Sequence, residues 1–210
     1  MNMKKYLVEL IGMFLFVLVV GMVVIDPGVG SLAPIAIGST LMILVYAGGH
    51  ISGGHYNPAV TLAVWLRGRC PASDVLPYWI SQILGALAAS YVVLYLKGNP
   101  TVTPAEIKMV PALIAEFLGT FALCYVVLNV ATAKATAGNS NYGLAIGFTV
   151  VVMAFALGGI SGGAFNPAIA TGITVMHIEK APNFWIYLVG DLAAGALAAQ
   201  VFKFLNPEDK

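Results

Sequence analysis

The chain has 210 residues, 60% of them apolar and 9% charged, with a mean hydropathy of +0.90 and a formal net charge of +1. A soluble domain needs far more charge to coat its surface, and a nucleic-acid partner needs a basic stripe to release counterions; the composition excludes both. At about 20 apolar residues per crossing of a hydrocarbon core roughly 30 Å thick, the length accommodates about six spans, short connections and no separate soluble domain.

The first apolar run, 6–25, follows Lys4 and Lys5. It is too long for the apolar region of a signal peptide, contains Glu9 and lacks an Ala-x-Ala cleavage site, so it reads as a retained first helix. Further spans are predicted at 33–49, 75–96, 111–130, 142–158 and 183–204. Two shorter runs, 57–67 and 166–176, lie after the second and fifth spans. At about 1.5 Å per residue each reaches only halfway through the core, so both are predicted half-spans. Cys70 and Cys124 have neither CxxC spacing nor flanking histidines and read as free thiols. No two histidines have metal-ligand spacing and no nucleophile stands beside a base, so the expectation is no metal, no cofactor and no enzyme.

The half-spans occupy matching places in an internal repeat. Ile37-Gly38-Ser39-Thr40 aligns with Ile146-Gly147-Phe148-Thr149, and Ile51-Ser52-Gly53-Gly54-His55-Tyr56-Asn57-Pro58-Ala59 with Ile160-Ser161-Gly162-Gly163-Ala164-Phe165-Asn166-Pro167-Ala168, at a constant offset of 109. Upstream, Glu9 with Gly12 matches Glu116 with Gly119 at an offset of 107. One channel-sized domain is expected over 1–210, built of repeats 1–105 and 106–210. Three spans per half is an odd number, so the second half enters from the opposite side and the repeats are inverted. Basic residues in short loops set the orientation: with both termini cytoplasmic, Lys4, Lys5, Arg67, Arg69, Lys134, Lys203 and Lys210 lie inside, against Lys97, Lys108 and Lys180 outside.

Irregular backbone at membrane depth is tolerated only where it is buried in protein or lines a wet cavity. The two Gly-Gly-x-aromatic-Asn-Pro-Ala segments suit that setting. Their glycines allow extended backbone to pack closely and turn carbonyls toward a solute. Asn57 and Asn166 stand where an N-cap belongs, and Pro58 and Pro167 fit the first helical position. Each Asn can cap with its oxygen and aim its amide donors into the cavity. Glu9 and Glu116, acids inside spans, are expected to face polar groups.

With these paired motifs the chain resembles the aquaporin, or major intrinsic protein, family over nearly its whole length. The resemblance implies an all-α membrane protein: six tilted transmembrane helices and two re-entrant half-helices in inverted repeats, a pore in each subunit, and a homotetramer in a lipid bilayer. It implies that Glu9 and Glu116 hold the re-entrant backbone by accepting its N–H groups, with Pro58, Ala59, Pro167 and Ala168 as structural support. His55 is similar to the histidine that lines the family's cytoplasmic vestibule, whereas His50 reads as structural and His177 as solvated.

The outer filter departs from the family pattern. Where an Arg usually follows the second Asn-Pro-Ala, this chain has Ile169, and the other three mapped positions are Ile37, Ala154 and Gly163. This ring offers no side-chain donor and no charge, so polar contacts there fall to backbone carbonyls in Gly162, Gly163, Ala164 and Phe165. The expectation is a wide, apolar filter that passes small uncharged solutes beyond water, such as glycerol, ammonia or dissolved gases. Asp191 lies within the sixth span, where an unpaired carboxylate costs at least about 2.5–3.5 kcal/mol, so it should find a partner or hold a proton. Small residues Gly85, Ala86, Ala89, Gly195, Ala196 and Ala199 are expected to permit close helix packing. Two rival readings are a secondary transporter, which also uses inverted repeats and broken helices, and a non-conducting protein of the same fold. No pair of central carboxylates or basic residues stands out to couple an ion, and short loops lean toward a prokaryotic inner or plasma membrane.

Overall fold

A computed structural model describes residues 3–209; Lys210, counted above among the inside basic residues, lies outside them. Eight helices follow in order: α1 Met3–Val24, α2 Ala33–Ser52, α3 Pro58–Leu66, α4 Ala72–Leu96, α5 Met109–Val127, α6 Tyr142–Ser161, α7 Pro167–Val175 and α8 Phe184–Leu205. No strand occurs among the described residues. Six of these helices are long and apolar enough to cross a membrane, α5 being prolonged by a π-helical turn at Leu128–Thr132. The other two, α3 and α7, have nine residues each. They are the half-spans, and their length is that of about half a bilayer core.

α1 packs along α4, α5 along α8, and α2 crosses α6. Between halves, α3 lies on α8 and α7 on α4, so each half-helix is cradled by the last long helix of the other repeat. At the α2–α6 crossing a β-carbon on Gly38 would stand 2.5 Å from the Gly147 carbonyl oxygen, and one on Gly147 equally close to that of Gly38; the helices touch backbone to backbone. Gly85 meets the Leu10 carbonyl oxygen on α1 and Gly195 that of Ala59 on α3. Two of the small residues noted above therefore make close contacts inside the subunit.

Large apolar side chains cover the outside, including Tyr95 at 77% exposure and Phe204 at 83%. A protein dissolved in water does not present such a surface, whereas acyl chains solvate it. Both ends of the described residues lie on one face: Lys5 pairs there with Asp74 at the start of α4, and Arg67 after α3 pairs with Asp209.

Candidate functional site

α2 and α6 each end at a left-handed glycine, Gly53 (φ 90°) and Gly162 (φ 89°), followed by Gly54 (φ 63°) and Gly163 (φ 66°). Tyr56 and Phe165 then also take positive φ, 45° and 47°. Bulky residues hold that conformation only where the surroundings compel it. Here the compulsion is a buried glutamate under each turn. Glu9 accepts from the Ser52 hydroxyl (2.7 Å), the His55 and Tyr56 backbone N–H groups (3.0 and 2.7 Å) and the Gln82 amide (2.8 Å). Glu116 accepts from the Ser161 hydroxyl (2.5 Å) and the N–H groups of Ala164 and Phe165 (3.1 and 2.6 Å). The rings of Tyr56 and Phe165 fill the space that side chains on Gly12 and Gly119 would need.

The turns deliver Asn57 and Asn166 to the helix starts. Asn57 Oδ1 accepts from the Ala59 N–H at 2.8 Å, and Asn166 Oδ1 from Ala168 at 2.9 Å and Ile169 at 3.4 Å. Pro58 and Pro167 occupy the first helical position, and Ala59 and Ala168 are wholly buried. The nitrogens do something unforeseen in the sequence. Asn57 Nδ2 donates to the Phe165 carbonyl and Asn166 Nδ2 to the Tyr56 carbonyl, both at 2.8 Å. The half-helices thus meet by their N-termini and are tied crosswise. Each amide nitrogen has two hydrogens, so one is committed to the opposite turn and one is left for the cavity, a correction to the picture of both donors aimed at solute.

Two cavities lie along this region, and only the second is walled by both Asn residues. One, of about 840 Å³, opens on the face that holds both described ends and is walled by Lys5, Ser52, Gly53, Asp74 and Tyr78 among others. The second, of about 240 Å³, is walled by Gly54, Asn57, Gly162, Gly163, Ala164, Phe165, Asn166, Ile37 and Ile169. His55 and Val127 belong to both walls. His55 is buried, with Nδ1 3.1 Å from Thr61 Oγ1 and its ring against Tyr78. His50, expected to be structural, is instead exposed and borders the larger cavity, and His177 is exposed as expected. Ala154 is not on the wall of the smaller cavity: the larger side chains of Ile146 and Val150, two turns and one turn before it, make the α6 contribution.

Glu179 and Asp74 have no place in the sequence reading, and Arg67 enters it only as a basic loop residue. Glu179, on the wall of the second cavity, is 4% exposed and accepts from the Lys180 N–H (2.7 Å), the Asn183 amide (2.8 Å) and the Tyr187 hydroxyl (2.8 Å). Asp74 accepts from the Tyr6 hydroxyl at 2.7 Å and from Lys5. Arg67, 4% exposed, reaches Asp209 at 2.8 Å and the Thr132 carbonyl at 3.3 Å. The repeat does account for Tyr187, which follows Tyr78 by 109 residues: each hydroxyl donates to the last carbonyl of a helix, Ser52 or Ser161, at 2.6 Å.

The Major intrinsic protein family model matches residues 1–202. The chain is 37% identical to aquaporin NIP1-1 of Zea mays, over 80% of this chain and 62% of that one. It is 32% identical to aquaporin Z of Rhodopseudomonas palustris, over 99% of this chain and 95% of that one. It spans about three fifths of the length of the maize and rice relatives. Among solved structures, the aquaglyceroporin from Plasmodium falciparum superposes with a TM-score of 0.83 over 99% of this chain and 98% of that one, at 18% identity, a likeness of fold. The tied half-helices, the six long apolar helices and these relatives lead to one conclusion: the chain belongs to the major intrinsic protein family, a family of membrane channels and not of enzymes.

Proposed function

We propose that the chain is a passive pore for water and other small uncharged solutes, with Asn57 and Asn166 at its central constriction. The observation that carries this reading is the meeting of two half-helix N-termini on the wall of a buried cavity, each with an Asn amide hydrogen left over. Half-helix N-termini place partial positive charge at mid-membrane. Water passing there turns its oxygen toward the Asn donors and its hydrogens away, which breaks a hydrogen-bonded chain for proton hopping, and the dipoles repel cations. Neutral molecules are penalised least.

Beyond the constriction, Ile37, Gly163 and Ile169 supply neither charge nor side-chain donor, so selection there rests on width and on backbone carbonyls. This favours solutes larger and less polar than a water-only filter admits. The working unit is a homotetramer in a cell inner or plasma membrane, with both termini on the cytoplasmic side and each subunit conducting. Stopped-flow shrinkage of proteoliposomes under water and glycerol gradients tests the reading. Flux of both solutes, unaffected by ionophores, is the expected result. A water-only profile overturns the wide filter, ionophore-sensitive flux makes the protein a coupled transporter, and no flux from well-folded protein overturns the pore.

A further inference from the structure

The two halves differ at one buried position beside their glutamates. Gln82 on α4 and Asp191 on α8 are 109 residues apart and both fully buried. Glu9 receives four donors, the last being the Gln82 amide. Glu116 receives the equivalent first three, from Ser161, Ala164 and Phe165, and in the place of the fourth stands Asp191, which bonds Thr120 one turn on from Glu116 and follows Gly190, where a β-carbon would stand 3.4 Å from Glu116 Cβ. An ionised carboxylate can only accept, whereas a carboxylic acid carries one O–H donor. Asp191 Oδ1 already accepts from the Thr120 hydroxyl at 2.8 Å, and Oδ2 is buried with no partner. One hydrogen resting on Asp191 supplies what is missing on both sides. It gives Oδ2 a partner and Glu116 its fourth donor.

The groups facing Asp191 supply no cation to balance a second negative charge beside Glu116. The titratable ones are Glu116 and Cys124 on α5 and Tyr187 on α8; the Asn166 backbone N–H before α7 also points a donor toward the carboxyl but carries no charge. None is a cation, and two like charges at contact distance away from water are not sustained. We propose that Asp191 is a positioning residue held as the neutral acid, donating its O–H to Glu116 and so steadying the second re-entrant turn as the Gln82 amide steadies the first. The Phe165 carbonyl that receives Asn57 belongs to that turn, so the acid pair also bears on the crosswise tie. The inference goes beyond the pore reading, and its first readout is independent of transport.

Infrared spectra of the purified full-length protein at neutral pH, in ordinary and heavy water, supply the test. The wild type should show a protonated-carboxyl C=O band that shifts on deuteration, moves when the protein contains isotopically labelled aspartate, and is lost in Asp191→Asn. Because Asn keeps a donor, Asp191→Asn should retain the wild-type melting temperature, while Asp191→Leu loses it. Gln82→Glu should add a second such band by recreating the pair in the first half. A wild-type spectrum whose carboxyl region ignores aspartate labelling overturns the proposal even if no variant assembles. So does Asp191→Asn melting as low as Asp191→Leu.

Discussion

At Gly119 a β-carbon would stand 2.2 Å from Phe165 Cε1, and at Gly12 one would stand 2.0 Å from Tyr56 Cε1. The aromatic rings of the re-entrant turns are seated on bare helix backbone, and nothing short of moving the ring makes room. Gly119→Ala should therefore cost about 1–3 kcal/mol by overpacking, read as a lower melting temperature in detergent and partly recovered by adding Phe165→Leu. An unchanged melting temperature would show that the ring is not seated there. A different residue-scale device holds the chain end. The Lys134 backbone N–H and the Arg67 guanidinium, both donating to Asp209, keep its carboxyl below the usual carboxylate range. A depressed value means the tie is present above the ordinary carboxylate pKa and lost only as pH falls through the lowered one. Amide exchange at Asn206–Asp209 should stay slow in mild acid and quicken in stronger acid, and Asp209→Asn should make it fast at neutral pH. Glu9 and Glu116 were legible as partnered acids because a carboxyl inside a span must find donors. Glu179 and Asp209 sit in loops, where an acid in water needs no explanation, and so their sequence context gave no warning.

Among the elements, the half-helices could be read in advance because their apolar runs are too short to cross and each opens with Asn-Pro-Ala. Their long neighbours were found too, though with blurred ends. α2 and α6 run on to Ser52 and Ser161, past the predicted 49 and 158, and α4 begins at Ala72 and not 75. An apolar run stops at the first polar residues, but a helix continues wherever those residues find partners. Ser52 and Ser161 donate to the two glutamates, and Asp74 is satisfied by Tyr6 and Lys5. The crosswise Asn ties were not legible at all, since the amide and the carbonyl it meets lie 108 and 110 residues apart. The α2–α6 crossing gives this scale its prediction. A side chain on Gly147 has the Gly38 carbonyl oxygen and Met42 Cβ both at 2.5 Å. Gly147→Leu should force the helices apart and shift the protein from a monodisperse to an aggregated peak in size exclusion; retention of the native peak would mean the crossing is slack.

For the molecule as a whole, orientation can be tested with the thiols it already has. Cys70 is 8% exposed and Cys124 wholly buried, and burial, aided by the Asp74 charge, pushes the Cys70 thiol up to about 11. The reactive thiolate is therefore scarce at neutral pH, and the wild type should resist maleimide. Against that silent background, cysteine at Lys108 or Lys180 should be labelled on intact cells by a membrane-impermeant maleimide, and cysteine at Lys134 or Lys203 only after lysis. The reverse pattern would turn the protein over in its membrane.

The amide-to-carbonyl exchange between Asn57 and Phe165, and between Asn166 and Tyr56, also bears on biogenesis. Whichever re-entrant segment is threaded into the bilayer first arrives with a bare carbonyl and an idle carboxamide, both of which hydrocarbon punishes. Only the arrival of its counterpart, translated more than a hundred residues later, relieves it. Either half made alone should therefore be less stable than the same half in the whole chain, because one carbonyl and one amide of its turn lack their partners.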